Sequence, residues 1–302
     1  MPTNTSAKGL YAAIFSSLLS SLGIVIQAEA IKLLGPLTVC AGASLFGSLI
    51  LLTLLFLRGE YPDLALLRRH LASLISLTIL RGVVGALLFV YALSLTPSIK
   101  AMFFTKAEPY LVIFWSWLLG RGGIARREGV LLVLHIAAAV VLSTSGRLSF
   151  ERAQLGDLLI LLALACSSLS YIVGKSVTQA IGAKLTNALT QLFSAVLLLP
   201  AAIYLAPPGA WNFVSLGWAY LWLQVLMFNI IALTLWFYAI KTIDGWIVSA
   251  LRAVGPLAAA PFAWYLFDQS LTPLQLAAGG VVLATSAAIA RQHIISKAKV
   301  TL

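Results

Sequence analysis

Charged side chains inside apolar stretches are the first chemistry that this sequence offers. Lys106 and Glu108 stand two positions apart in FFTKAEPYLV, where Pro109 follows them, and Arg81 and Arg252 interrupt two other apolar runs. A charge at the centre of a bilayer opposes insertion by about 2.5–3.5 kcal/mol, so such groups face protein or water rather than lipid. Cations and one carboxylate could together hold a zwitterion, with its carboxylate on a cation and its ammonium on Glu108.

Two interpretations of these charges stay open. Side chains two positions apart on a helix point about 200° from each other, so Lys106 and Glu108 do not pair across one helix face. Each could be neutralised by a different neighbour, for example Glu108 by Arg81 or Arg252. Alternatively, at least one of them lines a hydrated cavity and contacts a charged ligand.

Aromatic side chains and one histidine are further candidates. Aromatic residues near the charges either pack or lie in the interfacial belt, or they form an apolar cavity wall. Four of them are cavity candidates: Tyr91, Phe103, Trp236 and Tyr238. His135 is the only histidine within an apolar run, and either it carries a proton, as Glu108 could, or it is a hydrogen-bonded packing residue.

The elements that must position these residues are membrane helices. With 61% hydrophobic and 10% charged residues, the 302-residue chain is far more apolar than a soluble domain. Runs of about 20 apolar residues cross a bilayer as helices. We predict an all-α polytopic membrane protein with ten transmembrane spans. The spans are 9–28, 37–57, 71–95, 98–119, 129–146, 155–175, 185–205, 216–240, 247–267 and 273–291.

The basic residues predict how these spans are oriented. The net charge of +11 arises mostly between the spans rather than in a folded basic patch, so nucleic acid is not an expected partner and the lipid bilayer is. Of the 17 Lys and Arg residues outside the span interiors, 13 lie on the side of both termini. The other four are Lys32, Lys100, Arg147 and Arg152. By the positive-inside rule, both termini are cytoplasmic.

The chain repeats itself at a constant spacing of 147 residues. The matches include Gly9 with Gly156, Phe46 with Phe193, Pro109 with Pro256 and Trp117 with Trp264. We therefore divide the chain into residues 1–147 and 148–302, with five helices each. Because five is odd, the second half begins on the opposite face of the membrane. This predicts two inverted repeats, an architecture typical of secondary transporters.

The matching prolines fall near the middle of the fourth and ninth predicted spans. Proline removes one backbone hydrogen bond and kinks a helix. A kink of this kind can be purely structural, but interrupted spans at equivalent positions of two repeats point to a midplane binding site. We therefore predict that Pro109 and Pro256 are hinges.

Several motifs accompany this organisation: YAL closing the third span, EP in the fourth, GP in the ninth, and the stretch DQSLTPLQLAAGGVVLATSAAIA. With them, nearly the whole chain resembles the EamA-like branch of the drug/metabolite transporter superfamily, most of all the bacterial aromatic amino acid exporters of the YddG type. The resemblance implies ten helices around a central cavity, no cofactor, and export of amino acids and similar metabolites. The chain departs from the family pattern at Gly255, where an acidic residue would precede the second proline.

The expected function is therefore transport rather than catalysis. We expect a multi-pass protein of the bacterial inner membrane that exports amino acids, with aromatic and apolar ones favoured, by alternating access. The alternatives are a carrier of another metabolite class, such as nucleotide sugars, and a membrane-embedded transferase. The patterns HExxH, GxSxG and the P-loop are absent, so neither an enzyme nor a metal site is expected. The preferred substrate, proton coupling and the choice between monomer and homodimer stay open.

Overall fold

The computed structural model describes residues 4–60, 63–120, 126–144, 152–243, 245–251, 255–268 and 270–300, and every regular element in them is helical. The first half contains α1 (Asn4–Leu34), α2 (Pro36–Leu57), α3 (Leu64–Arg69), α4 (Leu71–Leu77), α5 (Ala86–Leu93), α6 (Ser98–Phe104), α7 (Glu108–Leu118) and α8 (Arg126–Thr144). The second half contains α9 (Arg152–Ile181), α10 (Ala183–Leu205), α11 (Leu216–Gln224), α12 (Leu233–Thr242), α13 (Gly245–Leu251), α14 (Gly255–Phe267) and α15 (Pro273–Val300).

Each half has one π-helical segment, which lies within its third predicted span. The first π-segment, Thr78–Gly85, joins α4 to α5, and the second π-segment, Val225–Ala232, joins α11 to α12. Both begin and end at positions that are 147 residues apart, as do the starts of α6 and α13 and of α7 and α14. The spacing found in the sequence is therefore also the spacing of the helices. π-Helical turns are rare and frequently lie at functional sites.

The number of membrane spans is where the structure differs from the sequence prediction. Within the described residues, six helical runs are long and apolar enough to cross a bilayer: α1, α2, α4 through α5, α9, α10 and α11 through α12. Gly129–Ala138 of α8 and Pro273–Thr285 of α15 are shorter apolar helices. The count of ten full spans is not confirmed, because the fourth predicted span is divided, α8 and α15 have only short apolar stretches, and the ninth predicted span includes residues outside the described part of the chain.

The fourth predicted span is divided just ahead of its proline. A single 3-10 turn, Thr105–Ala107, separates α6 from α7, and Pro109 is in the first turn of α7. Proline at the start of a helix costs little, because the missing N–H would have no partner there. Pro256 is likewise the second residue of α14, and residues 252–254 before it lie outside the described part of the chain.

The two halves interlock rather than lie side by side. Helix α1 packs against α11 and α12 of the second half, and the equivalent α9 packs against α4 and α5 of the first. Gly9 and Gly156 allow this close approach, since a Cβ at Gly9 would overlap the Thr242 hydroxyl and one at Gly156 would overlap that of Thr96. Helices α2 and α10 form another pair between the halves, as do α8 and α15.

A glycine makes the tight connection after the first helix of each half. Gly35 has φ 79° between α1 and α2, and Gly182 has φ 86° between α9 and α10. Residues with a Cβ rarely adopt this left-handed conformation. The single-residue link places α2 directly beside α1 and α10 beside α9.

A buried ion pair joins the halves near the start of α6. The Lys100 Nζ lies 2.8 Å from Asp157 Oδ2, and the side chains are only 6% and 4% exposed. The Thr96 hydroxyl donates to Asp157 Oδ1 at 3.2 Å. Lys100 is therefore not one of the loop cations, as the charge count assumed. The equivalent positions in the other half are Leu10 and Ile247, so this ion pair exists on one side only.

Replacement of one partner of this pair should destabilise the protein. Lys100→Met removes the cation beside a buried carboxylate, which is expected to lower the free energy of unfolding by about 3–5 kcal/mol. The double variant Lys100→Met/Asp157→Leu should recover most of that loss. Denaturant unfolding in detergent micelles measures both effects.

The matched control is an exposed ion pair of the same type. Lys184 Nζ lies 3.0 Å from Glu60 Oε1, with side chains 44% and 46% exposed. Lys184→Met should therefore change the free energy of unfolding by less than about 1 kcal/mol. Equal effects of the two lysine replacements would contradict a stabilising role of the buried pair.

Candidate functional site

A cavity of about 130 Å³ lies between the two halves, beside both π-segments. Its lining combines charges, amides, hydroxyls and a few aromatic rings. The charged and amide residues are Arg81, Glu108, Gln27, Gln191, Gln224 and Asn229. The hydroxyl and aromatic residues are Ser44, Thr105, Ser167, Thr190, Ser194, Phe89 and Phe228. Such a density of polar side chains inside apolar helices is expensive in a membrane and marks a functional site.

Four helices bring a charged cluster together at one end of this cavity, which we define as Arg81, Glu108, Tyr171 and Trp236. The Arg81 guanidinium carbon lies 3.8 Å from the centroid of the Trp236 ring. The Tyr171 hydroxyl donates to Glu108 Oε2 at 2.7 Å, and its ring packs edge-on against Trp236 at 4.8 Å. The Trp236 ring therefore contacts both the Arg81 guanidinium and the ring of Tyr171, whose hydroxyl binds the Glu108 carboxylate.

The local structure explains how a carboxylate is tolerated there. Glu108 is only 1% exposed, and the hydroxyl of Tyr171 on the neighbouring α9 provides a donor for its carboxylate inside the protein. A hydrogen bond from a phenol to a carboxylate is charge-assisted and roughly twice as strong as a neutral one. Arg81 gains up to about 2 kcal/mol from a desolvated aromatic face.

The equivalent of Glu108 in the second half cannot carry a side chain. A Cβ at Gly255 would overlap the Ser21 hydroxyl and lie 2.8 Å from the Ser17 carbonyl oxygen of α1. Close packing of α14 against α1 thus accounts for the departure from the family pattern noted in the sequence. Of these two equivalent positions, only Glu108 in the first half provides a carboxylate to the site.

Amide side chains also line the cavity, and they form a chain of hydrogen bonds that we call the amide chain. Gln224 Nε2 donates to Asn229 Oδ1, Asn229 Nδ2 donates to Gln191 Oε1, and Gln191 Nε2 donates to Asn187 Oδ1, each at 2.8 Å. Asn187 Nδ2 continues to Thr234 Oγ1 at 2.8 Å. The chain fastens α10 to the second π-segment and to the helices on either side of it.

Small residues of the first half make room for these polar groups. A Cβ at Gly47 would overlap Gln191 Oε1, and one at Gly82 would overlap the Ser194 hydroxyl. The Ser194 and Thr190 hydroxyls donate to carbonyls one turn back in α10, at 2.7 Å each. Because each hydroxyl proton is donated to a carbonyl of α10, the oxygens of Ser194 and Thr190 can act only as hydrogen-bond acceptors toward the cavity.

The structure brings Arg81, Glu108 and Trp236 together, but it places three other candidates elsewhere. Phe103 is buried against Gly279 and does not line the cavity. Tyr91 is 45% exposed on the outer face of α5. Tyr238 lines a separate surface groove beside Lys184. None of these three rings lines the cavity, whose aromatic lining residues in the described part of the chain are Phe89 and Phe228.

Three remaining candidates have no described contact with the cavity. The side chain of Lys106 and the whole of Arg252 lie outside the described part of the structure. His135 is buried between α8 and α15, where its Nδ1 lies 3.0 Å from Thr285 Oγ1 and its ring lies 4.3 Å from that of Tyr110. This is the hydrogen-bonded packing position that the sequence left open, away from the cavity lining.

Sequence reasoning missed Tyr171 and the amide chain. Asn and Gln within apolar helices were available as a signal, because amides in a membrane almost always bond to a neighbouring helix. Tyr171 has no such signal, since a tyrosine in a membrane helix is usually interfacial. Within the described residues, no group of three His, Cys, Asp or Glu side chains could hold a metal ion.

Comparison with known proteins adds a family. A family model described as the EamA-like transporter family matches residues 7–144 and 154–291. The two matched segments begin 147 residues apart, the same spacing as the repeat. A protein of known crystal structure superposes with a TM-score of 0.65 at 16% sequence identity, covering 96% of this chain and 99% of its own, so the two share a fold.

A distant sequence relative is the uncharacterized transporter YetK of Bacillus subtilis (strain 168). It is 22% identical over 220 residues, which cover 71% of this chain and 66% of YetK. The match therefore spans slightly less than two thirds of the relative's length.

Removal of the tyrosine hydroxyl tests whether the charged cluster works as a unit. Tyr171→Phe takes one charge-assisted hydrogen bond from Glu108, which is worth about 1.5–3 kcal/mol. We expect it to lower the rate of solute uptake into proteoliposomes roughly tenfold, and Glu108→Gln to lower it at least as far. Tyr91→Phe is the matched control on an exposed tyrosine and should leave uptake within about a factor of two.

Proposed function

This chain belongs to the EamA-like transporter family, and from that membership and its cavity we propose that it exports amino acids and related small metabolites by alternating access. The observation that carries the proposal is the cavity between the repeats, whose lining includes Arg81, Glu108 and several buried amides. A zwitterion meets an opposite charge for each of its ends in such a site.

The size of the cavity favours a small substrate. Its volume of about 130 Å³ is close to that of an engineered cavity of about 150 Å³ that holds benzene. An amino acid of about six non-hydrogen atoms, such as alanine, fits this conformation, and an indole side chain needs a wider one. The expected preference for aromatic substrates therefore stays a prediction, as does the likeness to exporters of the YddG type.

The interlocked repeats support alternating access. Equivalent helices make equivalent contacts across the molecule, as α1 does with α12 and α9 with α5. Two arrangements that exchange the roles of the halves would then have similar packing energies, which is the mechanical basis of inverted-repeat transporters. Pro109 and Pro256 lie at matching positions of the two halves and are the proposed hinges, and a 3-10 turn lies directly ahead of Pro109.

We place the protein in the bacterial inner membrane with both termini in the cytoplasm. More Lys and Arg residues lie on the side of the termini than on the opposite side, which supports this orientation. The difference becomes larger when Lys100, which is buried in an ion pair, is no longer counted on the opposite side. Glu108 is the candidate for proton coupling that lies in the cavity, whereas His135 lies in the contact between α8 and α15. Facilitated diffusion needs neither residue.

Nucleotide sugars are not favoured as substrates. Their phosphates require several cations, and Arg81 is the one cationic side chain among the described residues that line the cavity. The molecule would also be several times larger than the cavity. The names of the family and of the YetK relative both indicate a transporter rather than a transferase.

Uptake into proteoliposomes tests the proposal. Purified protein is reconstituted and given labelled alanine, threonine, leucine, phenylalanine, tryptophan and a nucleotide sugar, each with and without a pH gradient. We expect saturable uptake of small amino acids, because they fit the cavity and complement its charges. Protein-free liposomes give the background, and Glu108→Gln protein at the same density should take up at least tenfold less than the wild type.

Each outcome of this assay has a definite meaning. Uptake that does not change with the gradient indicates facilitated diffusion, and uptake driven by it indicates proton coupling. Uptake of the nucleotide sugar alone, or of no amino acid, would refute the proposed substrate class.

A further inference from the structure

The amide chain fixes its own orientation from one end to the other. The Asn229 backbone carbonyl accepts from Gln191 Nε2 at 3.0 Å and from Asn187 Nδ2 at 2.8 Å. A carbonyl oxygen can only accept, so both groups must be NH₂ rather than oxygen. Gln191 Oε1 is then the acceptor for Asn229 Nδ2, and Asn229 Oδ1 is the acceptor for Gln224 Nε2.

One buried acceptor is left over at the end of this chain. Gln224 is 1% exposed, it lines the cavity, and its Oε1 has no hydrogen-bond partner among the described residues. The orientation argument shows that this atom is oxygen and not nitrogen. A buried acceptor without a partner is destabilising, so a site that keeps one commonly has a ligand for it.

The chain also makes this oxygen a better acceptor than an isolated amide. Every amide from Gln224 to Asn187 donates in the same direction along the chain, toward Thr234. Aligned hydrogen bonds polarise one another, and the negative end of the series is Gln224 Oε1. Such an acceptor favours a cationic donor over a neutral one.

The first half shows that the fold does not need these amides. The positions equivalent to Gln224, Asn229 and Gln191 are Leu77, Gly82 and Ser44. The same helix contacts are therefore made there by apolar and small side chains. A purely structural role would give no reason for the amides to occur in one half only, beside the cavity.

We propose that Gln224 Oε1 accepts a hydrogen bond from the ammonium group of the substrate and selects substrates that carry N–H donors. This inference rests on the proposed amino acid transport and names a residue that sets its specificity. Arg81, on the first π-segment, lies along the same cavity and is the complementary group for the substrate carboxylate.

The test compares alanine with its N,N,N-trimethyl betaine, which keeps the positive charge and has no N–H. Leucine is the size control, because it exceeds alanine by the same three carbons. Alanine, the betaine and leucine are each used unlabelled to inhibit uptake of labelled alanine. The proteins compared are the wild type, Gln224→Met and Thr234→Val. In the wild type, the betaine should inhibit about tenfold more weakly than alanine, the factor expected for a charge-assisted hydrogen bond.

Gln224→Met should raise the KM for alanine about tenfold and bring the inhibition constants of alanine and the betaine close together, with the alanine-to-leucine ratio unchanged. Thr234→Val removes only the last acceptor of the chain, outside the cavity, so it should change the alanine-to-betaine ratio far less than Gln224→Met does and leave the alanine-to-leucine ratio as in the wild type. If Gln224→Met does not fold, Gln224→Leu introduces the residue found at the equivalent Leu77.

Several results would overturn the inference. An alanine-to-betaine ratio that is unchanged in Gln224→Met, or changed equally in Thr234→Val, would remove Gln224 from recognition while amino acid transport stands. Equal inhibition by the betaine and alanine in the wild type would do the same. Absence of alanine uptake by the wild type would refute the amino acid proposal and this inference together.

Discussion

Backbone hydrogen bonding without water is the constraint on which this structure depends. In the core of a bilayer, an N–H or C=O group finds a partner within the protein or costs several kcal/mol. Long helices meet this demand, and side-chain hydroxyls follow the same rule by bonding to carbonyls of their own helix, as Thr78 does to Leu74 and Thr178 to Gly174. Departures from the regular helix are then confined to places where other groups take up the backbone bonds.

The π-segments are such places, and they show why the cavity is there. The Asn229 carbonyl in the second π-segment accepts two side-chain amides, which a regular apolar helix would not supply. Arg81 lies in the first π-segment, with its guanidinium over Trp236. Irregular backbone in a membrane protein is tolerated where it is buried in protein or lines a cavity. The same two segments therefore interrupt the helices and surround the site.

The sequence predicted the organisation of the fold better than the details of the site. Apolar runs and a constant spacing predicted membrane helices in two repeats, because both properties follow from composition and local order. From the sequence, Pro109 predicts a kink, whereas the structure has the 3-10 turn Thr105–Ala107 directly ahead of it. A proline is compatible both with a bend inside a helix and with the first turn of a new helix, so the sequence alone does not distinguish the two. Glu108 and Arg81 were found because charges in apolar runs are conspicuous, whereas the directions of Tyr91 and Phe103 depend on packing that spacing alone does not determine.

The buried pair of Lys100 and Asp157 makes the two sides of the molecule unequal, since the equivalent positions are Leu10 and Ile247. In the proposed alternating access, separation of α6 from α9 would expose the charges of Lys100 and Asp157. Separation of the equivalent helices α13 and α1 would expose the apolar side chains of Ile247 and Leu10 at the same positions. Ions in solution screen charges in water far better than charges buried in protein. Ionic strength should therefore hardly weaken the contact on the one side of the molecule that carries this pair.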